Sequence, residues 1–228
     1  MNDSNDLVPS MLEDLLHSGG GDFAQDFAEL AIDGLLIDGI LKEIPIISTV
    51  RNIWKTTVTI NNALLVRKII SFLHEFDKTK LAEREAFLHK LEGDPQYKQK
   101  VGESIIALLD RLDDHIEKPI IIAKLFSSYI REEISYSSFL WLATAVERSF
   151  IVDLKAMLDY YAGKITSEDQ SVKKAKRNLY SCGLSDFYVL SEAERVRGGL
   201  EHLQVYNFNG DSIQLAKIVL GDQYANKQ

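Results

Sequence analysis

Two short stretches of this chain carry side chains whose types and spacing could do chemistry. Asp110, Asp113, Asp114 and His115 crowd the end of an amphipathic run, and carboxylates beside one imidazole are donors for a divalent cation. Arg111 stands among them, however, and acidic groups on a solvated helix end need no ion. The cluster is read as surface, and no metal is expected. The second stretch is Lys173, Lys174, Lys176 and Arg177, the densest positive charge in the chain. On a helix such a run can contact phosphates, with Arg197 and Arg195 extending the patch. Glu168, Asp169, Glu192 and Glu194 balance it locally. His74 and His89 sit on polar helix faces with nothing to orient them toward a nucleophile. Phosphate loops, dinucleotide fingerprints, zinc-ligand spacings and serine elbows are all missing. The reading is a protein without catalytic residues or cofactor, and not an enzyme.

The elements that must position these groups are helices. The chain has 228 residues and a formal net charge of −8, with 46% hydrophobic and 26% charged residues. That balance suits a globular domain with a real core, and its sign disfavours a broad nucleic-acid surface. Cys182 is the single cysteine, so a reducing cytoplasm is expected. Residues 1–21 read as a flexible leader without a secretory signal, ending at three glycines.

Residues 22–162 read as a multi-helix bundle. Leu65, Ile69, Phe72, Leu73 and Phe76 form one apolar stripe after a break at Asn61-Asn62. Thr79 is expected to cap a helix ending at Gly93, with Leu81, Leu88 and Leu91 inside. Asp94-Pro95 is an N-cap followed by proline at the first helical position, and Val101, Ile105, Leu108, Leu109 and Leu112 follow on one face. Lys118-Pro119 restarts the pattern. Ser135 is expected to cap the longest helix, running to Tyr161 with Phe139, Leu142, Val146, Phe150, Leu154 and Leu158 along one side. Trp54, Trp141, Phe126, Tyr129, Phe139 and Phe150 fall at helical spacing and are assigned to the core.

Residues 163–228 change character. A polar helix over Ser167–Tyr180 ends at Cys182-Gly183-Leu184. Two β-prone segments, Phe187–Leu190 and Leu203–Phe208, flank a turn at Arg197-Gly198-Gly199. Asp211 and Gln214 have capping-box spacing for a last helix to Leu220. Helix, strand, glycine turn, strand, helix is the order at the end of a winged helix, and NLYSCGLSDFYVL resembles the close of its recognition helix and its first wing strand. That resemblance implies a nucleic-acid or regulatory role for Lys173, Lys174, Lys176, Arg177 and Arg197. The spacing from Arg197 to His202 also resembles the R-x4-H of HEPN-type ribonucleases, in which histidine does acid–base work and arginine holds phosphate charge. Two glycines directly after Arg197 argue against the helix that such a site requires.

The segment KPIIIAKLFSSYIREEISYSSFLWLATAVERSFIVDL resembles the bacterial Abi-alpha (abortive-infection) type of small helical protein. The resemblance implies an antiviral-defence setting and a protein partner, and supplies no catalytic residues. The most apolar run, Gly34–Val50, bears on the same reading. Leu36, Ile40, Ile44 and Ile47 lie around Pro45, with Asp38 and Lys42 spaced to neutralise one another on a helix. Packed between helices they are core. Released as a hairpin by acid, assembly or a partner, they would contact a membrane, against a cost of roughly 2.5–3.5 kcal/mol for each charge at the bilayer centre.

The fold class expected is mainly α, a multi-helix bundle with a small C-terminal α+β winged-helix-like module. The function expected is that of a non-enzymatic bacterial defence-type protein. It would act by protein–protein interaction and by conditional membrane perturbation through residues 30–60, from the cytoplasm or the periphery of the inner membrane. The alternative is a nucleic-acid-binding or regulatory protein using the C-terminal module.

Overall fold

The computed structural model describes residues 60–198 and 204–224. Leu36, Ile40, Ile44, Ile47 and His202 lie outside them. Nine α-helices and a two-stranded antiparallel sheet make up the described residues, so the chain is mainly helical, with its only described strands near the C-terminus. The chain divides into two compact units, Met1–Glu133 and Ile134–Gln228. The division expected after residue 162 therefore falls inside the second unit.

In the first unit, α1 (Ile60–Asp77), α2 (Leu81–Glu92), α3 (Pro95–Arg111) and α4 (Glu117–Ile130) follow one another with short links. Helix α1 packs chiefly on α4 and then α3, and α2 rests on α3 and α4. The expected α1 stripe is buried throughout, from Leu65 to Phe76. Asn61 and Asn62 lie within α1 rather than at a break. Rings from three helices meet at Phe126, whose centroid is 5.3 Å from Phe76, 5.9 Å from Phe72 and 5.6 Å from Phe87. Five aromatic side chains, these four with Tyr129, thus form the centre of the unit; such rings bury much apolar area and favour tilted or edge-on pairing.

Helix starts here follow side-chain chemistry in one place and tertiary packing in another. Asp94 caps α3 as expected, accepting a hydrogen bond from the Tyr97 amide at 2.9 Å, with Pro95 next. Asp94→Ala should lower stability by about 1 kcal/mol in urea denaturation, with Asp94→Asn close to wild type. Thr79, by contrast, is not a cap. It is buried, its hydroxyl lies 2.7 Å from Ser127 Oγ on α4, and Lys80 takes the N-cap position without a side-chain bond. Leu81, expected inside, is exposed, while Phe87, Leu88 and Leu91 are buried.

The acidic link between α3 and α4 is structural. Lys118 is buried and donates to Asp113 Oδ2 at 2.6 Å. Lys68, buried on α1, donates to the Leu112 carbonyl and reaches the Asp110 carbonyl at 3.5 Å. Cations there satisfy carbonyls that α3 leaves open at its C-terminus and oppose its dipole. Among the described residues no group of three His, Cys, Asp or Glu side chains could hold a metal ion.

In the second unit the expected longest helix is two: α5 (Tyr136–Arg148) and α6 (Ile151–Tyr161). Ser135 caps α5, accepting from the Ser138 amide at 3.0 Å. Ser149 and Phe150 then take extended backbone, and the Ser149 hydroxyl donates back to the Ala145 carbonyl at 2.6 Å. The break rotates Phe150 out of the expected stripe and leaves it exposed, while Phe139, Leu142, Val146 and Leu154 stay in the core. Helix α7 (Gln170–Asn178) packs on α6 and continues as a 3-10 turn over Leu179–Cys182.

Gly183 follows with a φ of +81°, and the Leu184 amide donates to the Leu179 carbonyl at 3.0 Å, closing the helix as a left-handed C-cap. Strand β1 (Ser185–Val189) pairs with β2 (Gln204–Phe208) in the register Phe187 opposite Tyr206. The segment between them corrects the expected wing. Ser191 and Glu194 form a complete capping box that opens a short helix, α8 (Glu192–Arg197), so Arg197 ends a helix rather than tipping a turn. The order is helix, strand, helix, strand, helix. The last helix, α9 (Gly210–Leu220), ends where expected, but its cap is Asn209, which accepts from the Ser212 amide at 3.2 Å. Asp211 is thereby released for another partner.

Candidate functional site

Charge is divided unevenly between the two units. Residues 134–228 contain equal numbers of basic and acidic side chains. The formal −8 of the whole chain therefore belongs to residues 1–133, and the second unit can present a surface that neither repels nor strongly attracts phosphate.

The residues on that surface are set by α7. Val172, Ala175 and Leu179 are buried against α6, which fixes the rotation of the helix. Lys173, Lys176, Arg177 and Tyr180 then fall on one face by their spacing of three and four. The basic run is nevertheless split by its surroundings. Lys173 pairs with Glu168 at 2.9 Å. Lys176 turns inward, its Nζ lying 5.6 Å from the centroid of Tyr160 and 5.7 Å from that of Phe208. Burial there holds its pKa below the ordinary lysine value, with Glu168 opposing, and the rings return some of the lost solvation as cation–π attraction. Lys174 and Arg177 remain exposed on α7, and Arg197 is exposed at the end of α8. The structure does not gather the five expected cations into one patch.

What it gathers instead is aromatic. Tyr180, Phe187 and Tyr206 form a triangle with centroids 5.0–6.1 Å apart, and Tyr180 keeps half its surface in water. The turn that carries Tyr180 is tied to the α5–α6 link twice. The Cys182 thiol donates to the Arg148 carbonyl at 3.4 Å, and Asn178 donates to buried Asp153 at 2.9 Å. These ties bring Phe150, 71% exposed, and Val152 to the same end of the unit as Tyr180. Tyr188, Val189 and Val196 add exposed apolar surface on β1 and α8. A two-stranded ribbon is marginal in water by itself; this one is held by the packing of β2 on α7 and by Phe208 against Tyr160 and Tyr161. Burial pushes the Tyr161 hydroxyl up to about 12 even though Ser212 lies within hydrogen-bond distance, at 2.9 Å.

Among the described residues, seven of the eight exposed large hydrophobic side chains belong to the second unit: Trp141, Phe150, Val152, Tyr180, Tyr188, Val189 and Val196. Leu81 is the eighth. Sequence reasoning placed Trp141 and Phe150 in the core; the helix break after Arg148 is what exposes Phe150.

The chain matches no family model, no curated protein and no solved structure. No helix among the described residues is long and apolar enough to cross a membrane.

Proposed function

We propose that the protein acts without catalysis, by binding a protein partner through the aromatic end of residues 134–224, in the defence setting that its resemblance to Abi-alpha proteins implies. One observation carries this reading: the concentration of exposed Trp, Phe, Tyr and Val side chains on one of the two units. Aromatic residues with few charges mark the centres of protein–protein interfaces, and contiguous apolar surface is held in water at a cost that binding removes. The test is capture of a partner from the native host, followed by reconstitution from purified components. Binding in the micromolar range that falls at least about tenfold in Phe150→Asp, with the fold intact, supports the reading. A purified pair whose affinity ignores both Phe150→Asp and Tyr180→Ser would sink it. Conditional membrane perturbation by residues 30–60 is the second part of the proposal; dye release from anionic liposomes, abolished by Ile40→Asp or Ile47→Asp, is its separate test.

A second reading is favoured by the stripe of Lys173, Arg177 and Tyr180. A cation beside an exposed ring is how single strands are held without sequence preference, by stacking and phosphate contact. Salt-sensitive binding of single-stranded DNA, lost on replacing Lys173 and Arg177 by alanine, would put that reading first.

A further inference from the structure

A groove lies beside Trp141. It has a volume of about 330 Å³ and is lined by Ser137, Ser138, Trp141, Leu142, Asp211 and Gln214. These residues come from the first two turns of α5 and α9, two helix starts that meet within the second unit.

Trp141 is held as a platform. Its indole N–H donates to Asp211 Oδ2 at 2.9 Å. Against its Cζ2 edge lies Gly183, where an added Cβ would stand 2.9 Å from Trp141 Cζ2, 3.6 Å from Cη2 and 3.7 Å from Cε2. The six-membered ring thus meets glycine at that edge, and any other residue there would set a Cβ too close to it. With its Cζ2 edge against Gly183 and its N–H on Asp211, the side chain is still 54% exposed. A tryptophan fixed on two sides and open on the third loses little conformational freedom when something stacks on it.

The polar groups around the ring have capacity left. Asp211 Oδ1 and the Gln214 amide make no hydrogen bond within the described residues, and the Ser137 hydroxyl is engaged only by Ser135 Oγ at 2.8 Å. Carboxylate, amide and hydroxyl beside an open indole face match the faces of a sugar ring, whose C–H side stacks and whose hydroxyls both donate and accept. A cationic ligand is the competing chemistry, since Asp211 is negative and the indole attracts cations. Two things weigh against it. Asp211 sits in the first turn of α9, where the helix dipole offsets its charge, and it already accepts the indole N–H. The Ser137 and Ser138 end of α5 adds a second partial positive charge to the same groove.

We propose that this groove binds a neutral pyranose ring, stacked on Trp141 and hydrogen-bonded through Asp211 and Gln214. The experiment is a titration of the full chain carrying Trp54→Phe, so that Trp141 is the sole tryptophan, with methyl β-glucoside, N-acetylglucosamine and their β-linked oligomers. The expected result is a saturable change in Trp141 emission at millimolar monosaccharide, tighter for oligomers. Asp211→Asn and Gln214→Ala should each weaken it about tenfold, the loss of one good hydrogen bond. Both variants should keep the wild-type melting temperature, which separates a binding loss from a folding loss. Trp141→Phe should retain stacking with reduced affinity, read by calorimetry. Emission that no sugar alters, sugar binding indifferent to both variants, or saturation by tetramethylammonium that sugars fail to compete would each overturn the proposal.

Discussion

Phe126→Ala is expected to destabilise the N-terminal unit by about 3–5 kcal/mol, the largest effect of any single truncation in the described core. Phe126 is fully buried on α4 and touches rings from α1 and α2 as well as Tyr129 on its own helix. Its removal leaves a cavity walled by Phe72, Phe76 and Phe87, and three helices cannot collapse into that space together. The loss includes both transfer of the ring from water and the vacancy left behind. Urea denaturation followed by circular dichroism should show a midpoint shift with little change in slope. Phe126→Leu should recover more than half of the loss, because it restores most of the volume. A Phe126→Ala protein within 1 kcal/mol of wild type would mean that the ring cluster is not the centre of the unit.

The second large effect concerns Lys118 and is asymmetric. The Lys118 side chain is 1% exposed and that of Asp113 is 42% exposed, with 2.6 Å between them. Asp113→Ala takes the nearest counter-charge from a buried ammonium and should cost about 3 kcal/mol, the low end for such pairs because water reaches Asp113. Lys118→Met removes the buried charge and leaves an aspartate already half in water. It should stay within about 1 kcal/mol of wild type or exceed it. Parallel denaturation of the two variants and the double mutant gives the coupling directly. Equal losses in both single variants would mean that the pair is symmetric in solvation, against the burial seen here.

Local chemistry made some of this legible without a structure. Asp94-Pro95 and Ser135 are side-chain caps whose acceptors lie three residues from the amides they satisfy, so the sequence contains both partners. The stripe from Leu65 to Phe76 is equally local, since burial on one side of a single helix imposes the spacing. The Ser191–Glu194 capping box was present in the letters as well. The glycines after Arg197 read as a turn, and α8 ends at Arg197, directly before the first of them.

Other features depended on residues far apart. Thr79 reads as a cap until Ser127 supplies a partner 48 positions away. Asp211 has capping-box spacing to Gln214, but Asn209 takes the cap and Trp141, 70 positions distant, takes the carboxylate. The basic run on α7 is continuous in sequence and divided in space, because Tyr160 and Phe208 draw Lys176 inward while Glu168 holds Lys173.

The sequence by itself determined that the chain is mainly helical, where several helices begin and end, and which apolar stripes face inward, because those properties rest on interactions within a turn or two. Only the tertiary structure decided which aromatic side chains remain outside. Phe150 stands eleven positions from Phe139 and shares its helical spacing, so periodicity cannot separate those two, whereas Trp141, two positions from Phe139, falls on the opposite side of α5. The extended link at Ser149–Phe150 separates the pair by turning the Phe150 ring out to water, and only the fold brings Gly183 and Asp211 to Trp141 from distant parts of the chain.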